Sequence, residues 1–400
     1  MKNDVVASIP DWDPTAPAIR ADPRAAYDEL RSRCPAARDA TGTWMLLRHE
    51  DVHRAALDPQ TFSSAASRFK SVPNSMDGDE HRRFREVVDR FLDPARIAAL
   101  VPMFRQVAEE VVAAVPRGVA VDAVDDIGLT VAVRAQSRWL GWPAGIEQRL
   151  RTWVHENQEA TRSGELERTR EAAARFDAIV REQIESRRST ANVSSASGDV
   201  TAELMRAAVE DPTVDDGKRL LTEAETISVL RNWTSGDLGS VARAFGVVVR
   251  HVAAHGDLQS QLRASQQDVA ALDRAIDEML RIDDPFVSNR RVTTRGVDIA
   301  GRTVPQGARV VLNWTAANRD PAVFDQPDTY RPEQNAPHNL VYGLGPHACP
   351  GRALATHELR EALTALLRGT GTLVLCPTEP AARATPPLGG YARVPVILGV

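Results

Sequence analysis

Cysteine is scarce in this chain: 400 residues hold three, Cys34, Cys349 and Cys376, far apart from one another. So sparse a set makes no disulfide framework and matches no zinc spacing, which fits a reducing compartment. Also missing is any run of about 18 or more apolar residues, which excludes a membrane-spanning helix. The start, Met1-Lys2-Asn3-Asp4-Val5-Val6, lacks the apolar core of a secretory signal, and the expected location is cytoplasmic. No long basic run offsets the net charge of −5, so nothing favours a nucleic-acid partner. No internal repeat is evident. At 43% hydrophobic and 26% charged residues, the composition is that of an ordinary globular protein, long enough for two domains or one large one.

The residues that are present change character along the chain. Residues 1–20 are proline-rich and are expected to be extended. From Asp22 to Leu57, helix-like pieces alternate with strand-like ones such as Thr43-Trp44-Met45-Leu46-Leu47-Arg48. Helical patterning then dominates from about residue 80 to 290, as in the spacing of Val107, Val111, Val112 and Val115. The serine-rich stretch 186–199 has neither helical nor strand period; it reads as a mobile surface loop, with a domain linker as the rival. Beyond 290 come short strands with Gly and Pro turns, such as Val297–Pro305. The fold class is therefore mainly α with small β-sheets.

One stretch carries chemistry: Tyr342-Gly343-Leu344-Gly345-Pro346-His347-Ala348-Cys349-Pro350-Gly351. Gly343 and Gly345 can take the positive φ of a tight hairpin, letting the backbone approach a flat ring. A helix begins at Gly351, and its amide groups and positive end would favour a thiolate at Cys349. The plain alternative is a glycine turn around a buried structural cysteine.

The stretch closely resembles the heme-binding loop of the heme-thiolate monooxygenases, the cytochrome P450 family. That pattern is an aromatic, two residues, Gly, any residue, His or Arg, any residue, Cys, any residue, Gly; Tyr342 stands where Phe is usual. The resemblance implies the cytochrome P450 fold, with heme b (iron protoporphyrin IX) between a long central helix and the cysteine loop. It implies Cys349 as the iron ligand, Gly351 in the loop and His347 at a heme propionate. Glu278-Met279-Leu280-Arg281 alone would be a solvated pair on one helix face. Its place about seventy residues before Cys349 matches the buried Glu-x-x-Arg pair that braces the loop in the family. A third brace residue corresponds to Arg331, or to Gln334 in another alignment. Arg291 corresponds to a propionate-binding arginine, with Arg290 as the fallback. His81 and Arg85, at i and i+4, match a helix that turns both toward a propionate. The likeness runs roughly from Asp22 to Val396, so residues 1–400 are expected to form a single domain.

The resemblance breaks on the central helix. Most relatives carry Ala-Gly-x-Glu/Asp-Thr there, where a small residue opens a groove for dioxygen and an acid–alcohol pair delivers protons. Here the stretch is Arg231-Asn232-Trp233-Thr234-Ser235-Gly236-Asp237-Leu238-Gly239-Ser240-Val241-Ala242. With Gly236 as the groove glycine, Leu238 and Gly239 fall at the acid and alcohol positions; shifted by one, these become Gly239 and Ser240. Either way the acid is missing. Adjacent helix positions point about 100° apart, so Asp237 is expected to face elsewhere. Ser240 is the best remaining hydroxyl, with Thr234 and Asn232 one turn below. The catalytic candidates are Gly236, Asp237 and Ser240, with protons supplied in part by the substrate.

By the same analogy, the substrate meets Phe69, Val72, Asn74 and Ser75 from one loop, and Trp233 and Ser235 from the central helix. Phe286, Val287 and Ser288 join from a third segment and Leu388 from a turn. That lining suits a neutral, hydrogen-bonding natural-product scaffold. Arg82, Arg83, Arg90, Arg96 and Arg352 would form a basic face for an acidic ferredoxin, itself served by a ferredoxin reductase. The expected activity is monooxygenation of a small organic molecule. The alternatives are oxidative C–C or C–N coupling of aromatic scaffolds, such as tryptophan-containing cyclic dipeptides, and a non-catalytic heme gas sensor or carrier.

Overall fold

The architecture is organised around one helix, Glu223–Ala254, of 32 residues. At about 1.5 Å per residue it runs close to 50 Å, the width of a whole domain. Its start is fixed by a capping box: the Thr222 hydroxyl accepts from the Glu225 amide, and the Glu225 carboxylate accepts from the Thr222 amide. Apolar residues surround its C-terminal half, where Val241, Phe245, Val247, Val248, Val249 and Val252 are all buried. A helix that is apolar all round belongs in the middle of a core. Neighbours approach its backbone closely: a Cβ on Gly246 would come within 2.4 Å of Val124 Cγ2. The helices Thr130–Leu140, Val269–Ile282 and Arg352–Gly369 pack along it. These coordinates form a computed structural model and describe residues 11–14, 16–67, 70–189 and 199–399.

The strands are short and lie mostly to one side. A five-stranded sheet runs in the order Ala36–Arg38, Trp44–Leu46, Arg309–Asn313, Ser288–Thr293, Phe62–Ser63. Its one parallel pairing sets Val310 beside Trp44, and its antiparallel centre sets Arg291 opposite Val310. Strand alternation then separates neighbours in the edge-proximal strand: Arg291 is buried and Arg290 exposed. A three-stranded sheet joins Leu373–Leu375, Pro395–Leu398 and Ala120–Asp122. The result is mainly α with small sheets, as expected.

Two local expectations are corrected. The N-terminal segment is not extended throughout, because Pro17–Ala21 is helical; residues 1–10 lie outside the described residues. The helix Leu166–Ser189 carries through the first part of the serine-rich stretch, and Asp199 caps the next helix. Residues 190–198 of the expected loop lie outside the described residues. Among the described residues, no helix is long and apolar enough to cross a membrane.

Candidate active site

Glu278 and Arg281 face each other one turn apart, the first 2% and the second 0% exposed. Two parallel hydrogen bonds join them, Arg281 Nε to Oε2 at 2.8 Å and Nη2 to Oε1 at 2.9 Å. Two further guanidinium protons go to the carbonyls of Asn318 and Pro327. Glu278 Oε1 also accepts from Asn335 Nδ2 at 2.7 Å and from the Arg331 backbone amide at 2.9 Å. This corrects the third brace residue: the Arg331 guanidinium turns outward to Asp325, and Asn335 supplies the side-chain contact. Gln334 makes none. The pair is thus buried and extensively bonded, which offsets the cost of burying two charges.

The cysteine loop closes through the Cys349 amide, which donates to the Tyr342 carbonyl at 2.8 Å. Gly343 and Gly345 do take positive φ, +68° and +72°, and a Cβ on Gly345 would come within 2.7 Å of the Ala56 carbonyl oxygen. Arg85 holds the loop from outside, its Nη1 donating to the carbonyls of Pro346 and Ala348. Its guanidinium is therefore engaged on the loop and on Asp89, rather than waiting for a carboxylate. His81 and His347 lie ring against ring, centroids 4.1 Å apart. His347 Nε2 sits 2.9 Å from Ser64 Oγ and 3.4 Å from Asp77 Oδ1. Burial would raise Asp77, yet bonds from His347, Ser63 and the Ser64 amide win and hold it at about 2. Burial, with His347 and Arg85 nearby, pulls His81 down to about 4. Arg291 is 6% exposed, and its one side-chain bond goes to the neighbouring Arg290 carbonyl.

Cys349 has accessible surface, yet it lies deep enough that burial raises its thiol; the Gly351 amide pulls the other way. The two facts together describe the wall of an interior cleft. Burial first, and then the Asp237 carboxylate, work against the tilt toward thiolate expected from the helix end. On the central helix, Gly236 is exposed and a Cβ there would meet nothing within 4 Å. Ser235, Gly239 and Ser240 are partly open, in a helix buried above and below. Asp237 does not face away. Its carboxylate is close enough to raise the Cys349 thiol, and it interacts with a second buried carboxyl, Glu358. Burial lifts Asp237 to about 7. The shifted register, with Ser240 as the alcohol, explains this: Asp237 then takes the groove position itself. The Ser240 hydroxyl donates back to the carbonyl of Gly236, or of Asp237, at 2.5 and 3.1 Å.

The family model for cytochrome P450 matches residues 250–370, which span the Glu278–Arg281 pair and the cysteine loop. The chain belongs to the cytochrome P450 family. It is 28% identical to the cyclomarin C epoxidase CymV of Salinispora arenicola over 84% of this chain and 86% of that protein. It is 26% identical to the erythromycin C-12 hydroxylase of Saccharopolyspora erythraea, over 86% of each. The solved structure of ligand-free cytochrome P450 TbtJ1 superposes with a TM-score of 0.83 at 27% identity, covering 94% of this chain and 97% of that one.

The residues present fit a heme. A P450 needs an accessible cysteine, open space on the central helix and hydrogen-bond donors, charged or neutral, for two carboxylates. Cys349, Gly236 and the group His81, His347 and Arg291 meet these needs; among the described residues the buried Arg291 guanidinium makes one side-chain hydrogen bond, to a neighbouring carbonyl. Arg290, exposed, drops out as its fallback.

The substrate candidates divide. Val72 is tied to the central helix, its amide donating to Ser228 Oγ and its carbonyl accepting from Asn232 Nδ2. Phe286, 45% exposed, bridges to half-buried Leu388, and Ser288 is half-buried beside them. Asn74 is exposed, while the hydroxyls of Ser75 and Ser235 are spent on the Ser71 and Arg231 carbonyls. Trp233 and Val287 are corrections: Trp233 packs on Trp139 and Phe91 at 5.1 and 5.5 Å, and Val287 belongs to a cluster with Tyr27 and Leu30. Both are core residues. Phe69 lies outside the described residues.

The expected basic face is also corrected. Arg82 pairs with Glu86, Arg96 with Glu203 and Arg352 with Asp277, each within 2.9 Å. The cleft of about 630 Å³ on the cysteine side brings Asp89, Asp93, Asp273 and Asp277 against Arg85 and Arg352. Its charge is mixed, because three of the five arginines, Arg82, Arg96 and Arg352, are matched by an acid.

Proposed function

We propose that this P450 is a monooxygenase of a small, natural-product-like organic molecule, using dioxygen and electrons from separate ferredoxin and ferredoxin reductase partners. The observation that carries the reading is that Asp237, on the open Gly236–Ser240 stretch of the central helix, lies near enough to Cys349 for its charge to raise that thiol. The printed activities of the relatives, an epoxidase and a hydroxylase, support it. Heme b bound there supplies dioxygen activation, with the Cys349 thiolate donating charge to iron.

The chain's own residues do the rest. His81, His347 and Arg291 take the propionates, which add charge-assisted bonds to an Arg291 that otherwise feels only the Asp77 carboxylate from a distance. Arg85 and the Glu278–Arg281–Asn335 network keep the loop backbone in place. Asp237 takes over the role of the missing acid. A carboxyl lifted to about 7 is present in both protonated and ionised forms at neutral pH and so can take up a proton and release it. Ser240, bonded to helix carbonyls, is left with acceptor capacity and passes protons on rather than originating them.

Two measurements test this. Carbon monoxide added to the reduced protein should give the red-shifted Soret band of a thiolate ligand. Turnover under ¹⁸O-labelled dioxygen should put one labelled oxygen in the product. A dimeric product without label would replace this reading with oxidative coupling, and consumption of electrons with no product would replace it with a sensor or carrier.

A further inference from the structure

The central helix carries a buried cation that the proposed function leaves unused. Arg243 is 7% exposed, its Nε has no hydrogen-bond partner, and among the described residues its side chain makes no ion pair. Burial alone lowers its pKa, to about 10, with no opposing charge to restore it. Helical side chains lean toward the N-terminus, so the guanidinium lies over the preceding turn. A Cβ built on Gly239 would stand 3.2 Å from Arg243 Nη1 and 3.7 Å from Gln158 Nε2. Gln158 is half-buried on the helix Glu147–Ser163, and its amide makes no hydrogen bond among the described residues.

These facts explain one another. Glycine at 239 leaves the room in which a guanidinium and an amide meet beside the helix. Position 239 is where the family's acid or alcohol would stand, in either register. A cation occupies the space of an acid. An ionised group left unpaired inside a protein is unfavourable unless a partner arrives. One guanidinium with a neutral amide matches a monoanion with a planar fork of acceptors, which is a carboxylate rather than a phosphate.

We propose that Arg243, flanked by Gln158, anchors a carboxylate of the substrate beside the open stretch of the central helix. This rests on the monooxygenase reading of the same cleft and narrows its substrate class from neutral scaffolds to carboxylic acids.

The test uses the heme-loaded full chain and matched probes: hydrocinnamate with hydrocinnamamide, and indolepropionate with its amide, followed by Soret shift and calorimetry. The acids should bind at least about tenfold tighter than the amides, the worth of one charge-assisted pair. Arg243→Met should abolish that preference, keep the thiolate-type carbon monoxide spectrum and, without ligand, melt above the parent. Equal binding of acids and amides, binding of neither, or a preference that survives in Arg243→Met overturns the proposal. So does acetate that raises the parent's melting temperature as much as the aryl acids do, since the site would then take any free anion. Should Arg243→Met fail to fold, the parent's acid-to-amide ratio and its retention in Arg243→Lys decide. A parent with the thiolate spectrum and no acid preference loses the anchor alone; a parent without that spectrum loses the monooxygenase reading.

Discussion

Two clusters on neighbouring helices of this P450 bury charged groups in opposite ways. On Val269–Ile282, Glu278 and Arg281 are fully enclosed, with two bonds to each other and others to Asn318, Pro327, Arg331 and Asn335. On the central helix, Thr234 Oγ1, Asp237 Oδ2 and Arg243 Nε are buried with no partner at all. Glu358, facing Asp237 from Arg352–Gly369, leaves both carboxyl oxygens unpartnered as well. Satisfied polar networks stiffen a fold, whereas unsatisfied ones are costly and concentrate where chemistry or a ligand will use them. The contrast marks the first cluster as scaffold and the second as working surface.

The largest expected effect removes what both clusters serve. Cys349→Ser should eliminate the thiolate-type carbon monoxide spectrum and nearly all product formation, with the fold kept by circular dichroism. Next comes the scaffold: Glu278→Ala strands a buried guanidinium and should cost about 3–5 kcal/mol in denaturant unfolding, with heme content falling alongside. Asn335→Ala removes one bond to a charged acceptor and should cost about 1.5–3 kcal/mol by the same assay. If it costs nothing, the brace is less tightly satisfied than the comparison requires.

The working surface should respond to pH instead. Asp237 titrates near 7 in the fold against 3.8 ordinarily, so its charged form is disfavoured there. Its cost is absent below about pH 4 and grows as pH rises toward 7, at most about 1.4 kcal/mol per pH unit. Asp237→Asn should flatten that fall in a series of melting curves from pH 4 to 8; an unchanged slope would mean that Asp237 is not a buried acid. The smallest effect sharpens a correction. Arg331→Ala should shift stability by under about 1 kcal/mol, because only its backbone amide reaches Glu278 and its guanidinium pairs in solvent with Asp325.

Legibility followed the range of each interaction. Gly343 and Gly345 were readable because a local turn demands their positive φ, and Glu278 and Arg281 because one helical turn joins them. Asn335 was not readable: 57 residues separate it from Glu278, and nothing local distinguishes it from Gln334. Trp233 and Val287 looked like pocket residues, but aromatic and β-branched side chains serve cores equally well. Asp237 was turned the wrong way by a one-residue choice of register, which on a helix swings a side chain through about 100°. The arginines of the supposed basic face were legible as charges, while the acids that neutralise them, Glu203 and Asp277, come from distant segments.

By itself, then, the sequence determined the family, the helix-rich class and the order of the elements around the cysteine loop, because these rest on local spacing and on residue chemistry. Only the tertiary structure decided which charges are paired and which are left open. Pairing depends on groups that meet from remote parts of the chain, and burial sets its value: a carboxyl or guanidinium identical in sequence is a brace where partners converge and a waiting site where none do.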